Sequence, residues 1–349
     1  MLPFLRNDAP WFTFIGHPRH EVDLEKIGGT ALLRRYSVNE RDFLRKIGSI
    51  PPLVIGQISF PPQAVTGEVI AVMCMPHLMV LPTARQEVLA GILLAASRGS
   101  RVIGLGALTA PATGAGLSII SDVPRGITVT TGNAYTAAVV HRNVSEACAR
   151  MNMTNPHIAV LGCTGSVGFS ASHLLADAGY RLTLIGRSQE RAQTLFRGTI
   201  KSPNVSFAGT LDALRDVDVV IALTNDNSAK LAPHHLRSES VVIDVAQPAN
   251  IERNHYEAFR KKGIYVAEGG IVRIQDYMCT FDFGLSDSTT FACLAETYLF
   301  ARDGLTNHSL GRALPDLSRY LEKLAARYHV TPSPLDLRES CRTSVCAAV

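Results

Sequence analysis

Charged residues are scarce in this sequence, and dense basic tracts and long apolar runs are missing from it. Charged residues make up 18% of the 349 residues, below the roughly 25% that is usual for soluble domains. The formal net charge of +4 falls far short of the Lys/Arg density of a nucleic-acid binder, so we expect no nucleic-acid partner. No apolar run reaches the ~18 residues of a membrane span, which predicts at most peripheral membrane contact.

Paired cysteines are also missing. The seven cysteines form neither a Cys-X-X-Cys pair nor a disulfide-dense framework, which favours a reducing compartment. Asp8 stands where the apolar core of an export signal would run, so no export signal is predicted. These absences predict a cytoplasmic protein, and we expect no metal site.

The apolar content of 46% and the length allow two or three compact units, each with its own core. Strand-like and helical segments are mixed before residue 150 and alternate regularly from His157. This pattern predicts an α/β protein in which a Rossmann-like, doubly wound parallel sheet (155–280) is flanked by an N-terminal α/β domain (1–154) and a C-terminal helical segment (281–349). The expected strands are 157–161, 181–186, 217–223, 240–245 and 263–267, and the expected helices include 166–178, 189–196, 288–302 and 314–329.

A glycine-rich turn follows the first of these strands. Gly162, Gly165 and Gly168 supply a tight turn, a close approach of backbone to phosphate, and close packing of helix on strand. The N-terminus of the next helix adds N–H donors and positive potential. The turn therefore predicts a pyrophosphate site formed by Gly162, Thr164, Gly165, Ser166, Val167 and Gly168.

The second strand ends in Arg187-Ser188, where an NAD-selective site has Asp or Glu to hold the ribose hydroxyls. A guanidinium at this point pairs with a 2′-phosphate, so NADPH is favoured as the cofactor. The alternative for Arg187 is a solvent-exposed charge at a strand end. Further cofactor-binding residues are expected after later strands, namely Thr224, Asn225, Gly269 and Gly270.

Cys293 lies near the start of a predicted helix that Ser286, Asp287 or Ser288 would cap. Its neighbours at helical spacing are Thr289, Thr290, Glu296 and Thr297, so we expect the thiol to face a polar side. The helix N-terminus favours the thiolate and Glu296 opposes it, which leaves the direction of the pKa shift open. Most free cysteines are packing residues without a chemical role, so Cys293 can be either a nucleophile or a structural residue.

With these motifs in view, the chain resembles the long-chain acyl-(acyl-carrier-protein) reductases, which supply fatty aldehydes to the alkane pathway. The most specific matching segments are Phe291-Ala-Cys-Leu-Ala-Glu296 and Thr130-Thr-Gly-Asn-Ala-Tyr-Thr-Ala137. In that family the cysteine of the first segment is the acylated nucleophile, which carries over onto Cys293. Tyr135 stands where members of that family have a histidine, and its phenol can still donate a hydrogen bond. The expected catalytic residues are therefore Cys293, Tyr135 and Glu296.

The resemblance implies acyl transfer from acyl carrier protein, which is acidic, or from acyl-CoA to Cys293, followed by hydride delivery from NADPH and release of a fatty aldehyde. An aldehyde-consuming enzyme is a further expected partner. Two alternatives remain: an NADP-dependent dehydrogenase of a small carbonyl in which Cys293 is structural, and a non-catalytic NADPH-binding protein.

Overall fold

A computed structural model describes residues 11–61, 63–200, 202–224 and 226–337. Within these residues the chain forms two compact units. Unit 1 comprises 11–132, Val272–Gly311 and Lys323–Thr331, and unit 2 comprises Asn133–Ile271, Arg312–Glu322 and 332–337. The sequence suggested boundaries at 154/155 and 280/281, whereas the units divide at Gly132–Asn133 and Ile271–Val272.

The strands and helices follow one another in this order. The first part of the chain contains β1 (Phe12–Gly16), α1 (Glu21–Glu25), α2 (Thr30–Arg35), α3 (Glu40–Ile47), β2 (Leu53–Phe60), β3 (Gln63–Ala71), α4 (Pro82–Ser97), β4 (Val102–Leu105), α5 (Thr109–Ala112) and β5 (Thr128–Thr130). The middle contains α6 (Asn133–Arg150), β6 (His157–Leu161), α7 (Ser166–Asp177), β7 (Arg181–Ile185), α8 (Gln189–Phe196), β8 (Val205–Ala208), β9 (Val219–Ala222), β10 (Val241–Asp244), α9 (Tyr256–Lys261) and β11 (Tyr265–Glu268). The last part contains β12 (Ile271–Ile274), β13 (Met278–Cys279), β14 (Thr289–Phe291), α10 (Ala292–Asp303), α11 (Pro315–Arg327) and β15 (Val330–Pro332). In the described part of the chain, no helix has the length and apolar character needed to cross a membrane.

Unit 1 is built on a mixed sheet with the strand order β13-β2-β3-β1-β4-β5. β1 runs parallel to both of its neighbours, while β2 runs antiparallel to β3. Ile15, Ile70 and Ile103 on the strands and Val88 and Ile92 on α4 form a fully buried core. α10 packs against β1 and β4. This packing brings the start of α10, with Cys293, to the sheet.

Unit 2 is built on an all-parallel sheet with the order β11-β10-β9-β6-β7-β8. Read from β8, this is the doubly wound order with the first strand in the centre, so the predicted Rossmann-like fold is confirmed. Apolar residues on both faces of the strands, such as Ile158, Val160 and Val220, are fully buried, as expected for a parallel sheet covered on both sides. β8 is a strand that the sequence pattern did not predict.

The start of α10, the first helix of the C-terminal segment, differs from the prediction. Thr289–Phe291 forms β14 in a three-stranded sheet of order β14-β12-β15, so α10 begins at Ala292 rather than at residue 288. Its N-cap residue is Phe291, which makes no side-chain cap. The prediction of Ser286, Asp287 or Ser288 as the cap is therefore wrong, because strand pairing takes the residues that were expected to form the first turn.

Candidate functional site

The carboxyl ends of β6 and β9 meet at the point where the strand order of unit 2 reverses, which is where open α/β sheets bind ligands. Gly162 follows β6 with φ +94°. A Cβ at Gly162 would lie 3.0 Å from the carbonyl oxygen of Leu223 and 3.3 Å from Cβ of Thr224. The glycine turn and the end of β9 therefore line one crevice, and Thr224 lies at the predicted edge. Asn225 lies outside the described residues.

Close backbone packing explains the glycines of this turn. A Cβ at Gly168 would overlap the carbonyl oxygen of Gly162, so the third glycine lets α7 start directly above the turn. Gly165 is the N-cap of α7 and makes no side-chain cap, which suits a helix N-terminus that receives an anion. Thr164, Ser166 and Val167 lie in the same turn and first helical residues. This local geometry fits a dinucleotide pyrophosphate.

A cavity of about 380 Å³ lies beside the turn. Its walls include Thr164 and Ser188, both predicted cofactor residues, together with Arg191 and Arg312. The Ser166 hydroxyl accepts the N–H of Ala313 at 2.8 Å, which holds the neighbouring Arg312 here. The Arg312 guanidinium also stands 4.8 Å from the ring centre of Phe169. The cavity thus holds two cations, three hydroxyls with that of Thr194, and one carboxylate, that of Glu190. Guanidinium and hydroxyl groups are the ones that recognise a phosphate monoester.

Arg187 itself points elsewhere. Its side chain is 86% exposed and its Nε lies 3.8 Å from Oδ2 of Asp226, and it is not among the residues that line the cavity. Sequence reasoning singled out Arg187 and missed Arg191 and Arg312 as cations of this site. Arg191 could have been found from the sequence, because it lies only four residues after Arg187. Arg312 could not, because it comes from a distant part of the chain.

The predicted turn Gly269-Gly270 follows β11 at the same edge of the sheet. The side-chain oxygen of Asn143, which is buried on α6, accepts the N–H of Gly270 at 3.1 Å. Gly270 has φ +73°, a conformation that favours glycine. Asn143 therefore fixes the turn, and no signal in the sequence pointed to this residue.

Cys293 occupies the second position of α10 in unit 1. The backbone N–H groups of Leu294 and Ala107 lower the pKa of the thiol, while burial, the larger influence, raises it. Ala107 has φ +48°, a left-handed conformation that is uncommon for a residue with a side chain. Strained backbone of this kind costs about 1–3 kcal/mol and clusters at functional sites. One of the two backbone groups that favour the thiolate therefore belongs to a strained turn.

Glu296 lies one turn further along α10 and is fully buried. Its Oε1 accepts the N–H of Gly132 at 3.2 Å and the hydroxyl of Ser309 at 2.9 Å. Gly132 lies directly against the nucleophile candidate, because a Cβ there would overlap Cβ and Cα of Cys293. The structure therefore brings together Cys293, Glu296 and the glycine of the Thr-Thr-Gly-Asn segment.

The polar side of α10 is buried rather than exposed. Thr289, Thr290, Glu296 and Thr297 are each at most 4% exposed. Burial is the largest influence on the thiol and raises the pKa of Cys293 to about 12, with the Glu296 carboxyl acting in the same direction. The sequence left the direction of this shift open, and burial settles it: the resting thiol is protonated at neutral pH. Cys163, inside the glycine turn, is also fully buried, and burial raises its pKa to about 12.

Tyr135 belongs to unit 2, where it lies in the first turn of α6 and is buried. Burial raises the pKa of its phenol above the usual value, and the Glu322 carboxylate adds to the shift. The phenol is therefore a hydrogen-bond donor at every physiological pH. Its contact with a substrate stays a prediction.

A second cavity, of about 590 Å³, lies in unit 1 next to the strained turn at Ala107. Leu108, the residue after Ala107, lines it. The rest of the wall is mainly apolar, with Arg85, Gln86 and Asp122 as its polar members; the apolar part consists of Met79, Val80, Leu81, Pro82, Leu89, Pro111 and Ala112. Its size and lining are typical of a pocket for an apolar ligand.

Residues 145–265 match the family described as Shikimate / quinate 5-dehydrogenase. This segment contains β6 to β10 and the glycine turn and ends at the first residue of β11, so the match agrees with the site built above. This segment is therefore similar to an NAD(P)-dependent dehydrogenase domain. The matching family is not the one that the sequence motifs resemble, and the matched residues end before Cys293. No curated protein matches the sequence.

Several solved structures are similar in fold. They include a putative malic enzyme (TM-score 0.39, 18% identity, covering 74% of this chain and 66% of that one) and L-tryptophan dehydrogenase from Nostoc punctiforme (TM-score 0.38, 17% identity, 75% and 70%). A third is the yhdH oxidoreductase from Salmonella enterica in complex with NADP (TM-score 0.31, 12% identity, 40% and 43%). This chain spans about half the length of the alcohol dehydrogenase from Pyrobaculum aerophilum, 54% of it. Similarity at this level concerns the fold alone.

Proposed function

We propose that this protein is an NADPH-dependent reductase that converts an acyl thioester to an aldehyde through an acyl-enzyme on Cys293. The observation that carries the proposal is the packing of Gly132, the glycine of the Thr-Thr-Gly-Asn segment, directly against Cys293 at the start of α10, where a Cβ on Gly132 would overlap Cβ and Cα of Cys293. The motifs around Cys293, with their resemblance to acyl-(acyl-carrier-protein) reductases, support the same role.

The cofactor is NADPH. Residues of the glycine turn would hold its pyrophosphate, and the cavity with Thr164, Ser188, Arg191 and Arg312 would hold the 2′-phosphate. When bound, the nicotinamide supplies the hydride that reduces the acyl carbon. Arg187 does not line that cavity, and its exposed side chain lies near Asp226.

The chemistry at Cys293 follows from its surroundings. The thiol is protonated at rest, so its proton must leave as Sγ attacks the thioester carbonyl, and the Leu294 and Ala107 donors stabilise the negative charge that forms on sulfur. The Sγ–acyl bond forms, the acyl–sulfur bond of the donor breaks, and the donor leaves as a free thiol. After hydride reaches the acyl carbon, the Sγ–carbon bond breaks, the aldehyde leaves, and one proton restores the thiol.

The cavity beside Leu108 is the place in unit 1 that suits the apolar part of the substrate. The thioester donor is an acyl carrier protein or acyl-CoA, and an aldehyde-consuming enzyme is a further partner under this proposal. Glu296 supports the site by holding Gly132 against α10.

A second function, reduction of a small carbonyl without a covalent intermediate, is favoured by one observation. The matched dehydrogenase family is defined over residues 145–265, which hold the cofactor site and exclude Cys293. In this alternative the cysteine is structural. The two functions share the cofactor site and differ in whether Cys293 carries the substrate.

The experiment that separates them is acylation without cofactor. The purified protein is incubated with saturated acyl thioesters of carrier protein and of CoA, and intact mass detects an acyl group. Cys279→Ala is the matched control, because Cys279 is also a partly exposed free cysteine of unit 1. We expect the adduct on the wild type and on Cys279→Ala, its absence on Cys293→Ala, and release of aldehyde when NADPH is added. No adduct on the wild type, together with reduction of a small carbonyl by Cys293→Ala, would establish the alternative.

A further inference from the structure

Asn250 is a buried residue whose side chain joins two loops of unit 2. It is 2% exposed. Its Nδ2 donates to the carbonyl oxygens of Thr224 at 3.0 Å and of Ala229 at 3.1 Å, and its Oδ1 accepts the N–H of Leu231 at 3.0 Å. A backbone N–H can only donate and a carbonyl oxygen can only accept, so these partners fix which end of the amide carries the nitrogen. One side chain therefore binds three backbone groups of the loop that follows β9.

The carboxyl group of Asp244, at the end of β10, holds the loop that carries Asn250. Its Oδ2 accepts the N–H of Ile251 at 2.8 Å, and its Oδ1 accepts the N–H of Ala246 at 3.1 Å. Asp244 is as deeply buried as Asn250, at 2% exposed. Since Asn250 directly precedes Ile251, the strand fixes the backbone from which the amide reaches across to the loop after β9.

The loop after β9 begins at the cofactor crevice. A Cβ at Gly162, in the glycine turn, would lie 3.3 Å from Cβ of Thr224. A dinucleotide crosses the sheet where the strand order reverses, so its two halves lie over different strands. The cavity assigned to the 2′-phosphate is lined by Ser188 and Arg191, which follow β7. Thr224, which follows β9, therefore lies on the side of the nicotinamide half.

The other hydrogen bonds of this loop are weaker ties to the rest of unit 2. The Thr224 hydroxyl accepts the N–H of Asp226 at 3.2 Å, and Ala229 donates its N–H to the carbonyl oxygen of Asp226 at 2.9 Å. Both bonds shape the loop internally and leave its place on the sheet open. Lys230 donates to a carbonyl oxygen of the loop after β10, but from a long and flexible side chain. The short, buried side chain of Asn250 is the firm tie.

We propose that Asn250 is a positioning residue that keeps Thr224 in place for the nicotinamide half of NADPH. Its amide is engaged by the three backbone groups, so it acts through the loop after β9 and not on the cofactor itself. The inference rests on the cofactor site of the proposed function and does not need the acyl-enzyme on Cys293. Its measurement is cofactor binding, so a failure of acylation and a failure of this inference are seen in different experiments.

The test compares two ligands that share the adenosine 2′-phosphate. NADPH carries the nicotinamide half, and adenosine 2′,5′-bisphosphate lacks it; the Kd of each is measured by titration calorimetry. Asn250→Asp keeps the size of the side chain and the acceptor for Leu231, but it cannot donate and sets a carboxylate against two carbonyl oxygens. Asn250→Ser is the milder variant, since its hydroxyl donates to one carbonyl oxygen at most.

Two controls separate positioning from other effects. Asn254→Asp adds the same charge on an exposed residue nearby. Ile264→Ala removes a side chain that is 1% exposed and stands just before β11, at the amino end of the sheet and away from the cofactor edge. It lowers the stability of unit 2 without touching either loop.

We expect the Kd for NADPH to rise about tenfold in Asn250→Asp and about threefold in Asn250→Ser, with the Kd for the bisphosphate within about twofold of the wild type. Both controls should bind both ligands within about twofold of the wild type. An equal rise for the two ligands would overturn the proposal, as would a selective loss of NADPH in Ile264→Ala, because a merely structural asparagine would behave in that way. Unchanged NADPH binding in Asn250→Ser would overturn it even where Asn250→Asp does not fold. A wild type that binds neither ligand would overturn the cofactor site itself.

Discussion

Gly132→Ala is expected to remove the reactivity of Cys293, whereas Gly126→Ala is expected to leave it intact. The two glycines have similar backbone conformations, with φ +73° and +83°, so an alanine strains each by about 1–2 kcal/mol. Their surroundings differ. Nothing lies within 4 Å of a Cβ at Gly126, while a Cβ at Gly132 would overlap Cβ and Cα of Cys293 and lie 3.1 Å from its carbonyl carbon.

The overlap at Gly132 involves the backbone of α10, which cannot rotate aside as a long side chain would. The Gly132 turn must therefore move away from the helix and give up the hydrogen bond from its N–H to Oε1 of Glu296. Leaving buried hydrogen-bonding groups without partners costs about 1–3 kcal/mol. With the backbone strain, the free energy of unfolding should fall by about 2–5 kcal/mol for Gly132→Ala and by about 1–2 kcal/mol for Gly126→Ala.

A displacement of about 1 Å at a reacting group lowers a rate on the order of 10²-fold. We therefore expect Cys293 of Gly132→Ala to accept an acyl group at least about 100-fold more slowly, with Gly126→Ala unchanged. Acylation is followed by intact mass, and stability by urea unfolding on the same samples. Wild-type acylation by folded Gly132→Ala, or an equal loss in Gly126→Ala, would show that the contact of Gly132 with Cys293 has no part in the reaction.

Two further predictions concern unit 2. Arg191→Ala should raise the Kd for NADPH about tenfold and leave the Kd for NADH unchanged, because a guanidinium–phosphate hydrogen bond is worth about 1.5–3 kcal/mol. The control is Arg215→Ala, since the Arg215 guanidinium pairs with Asp212 at the surface. An equal loss of affinity for both cofactors would show that Arg191 does not bind the 2′-phosphate. Burial raises the pKa of Asp244 from 3.8 to about 6. The folded state holds the Asp244 proton more tightly than the unfolded state does, so ionisation of Asp244 lowers the free energy of unfolding. This loss is absent below about pH 4 and complete above about pH 6, where it amounts to about 3 kcal/mol. Urea unfolding of the wild type should therefore lose stability across this range relative to Asp244→Asn, and identical pH slopes for the two proteins would contradict the assignment.

Much of unit 2 was predictable because its signals are local. The strand before Gly162, the three glycines and the helix after Gly168 follow one another within one stretch of chain, and each imposes its own backbone conformation. The edge strand β8 was missed because Val205–Ala208 is short and only partly buried, which leaves little apolar pattern to detect.

The surroundings of Cys293 were predicted less well. Its neighbours predicted that the thiol faces a polar side, and α10 packs that side against the sheet of unit 1, where the hydroxyls of Thr297 and Thr130 lie 3.3 Å apart and Glu296 contacts Gly132. A hydrophobic pattern does not reveal a helix that buries its polar side through hydrogen bonds. The start of the helix was also misplaced, because Thr289 and its neighbours pair with another strand instead of forming a helical turn.

The sequence by itself determined the doubly wound sheet, the glycine turn after β6 and the candidate cysteine, because periodicity, turn conformation and motif spacing act over a few neighbouring residues. Only the tertiary structure brought Arg312 to the cavity beside the turn, and only it placed Gly132 against Cys293 and Glu296. These residues are far apart in the chain, and their meeting depends on the order of the strands and on the packing of α10. The direction of the thiol pKa shift was likewise decided by tertiary structure, because burial depends on every segment that packs around the sulfur.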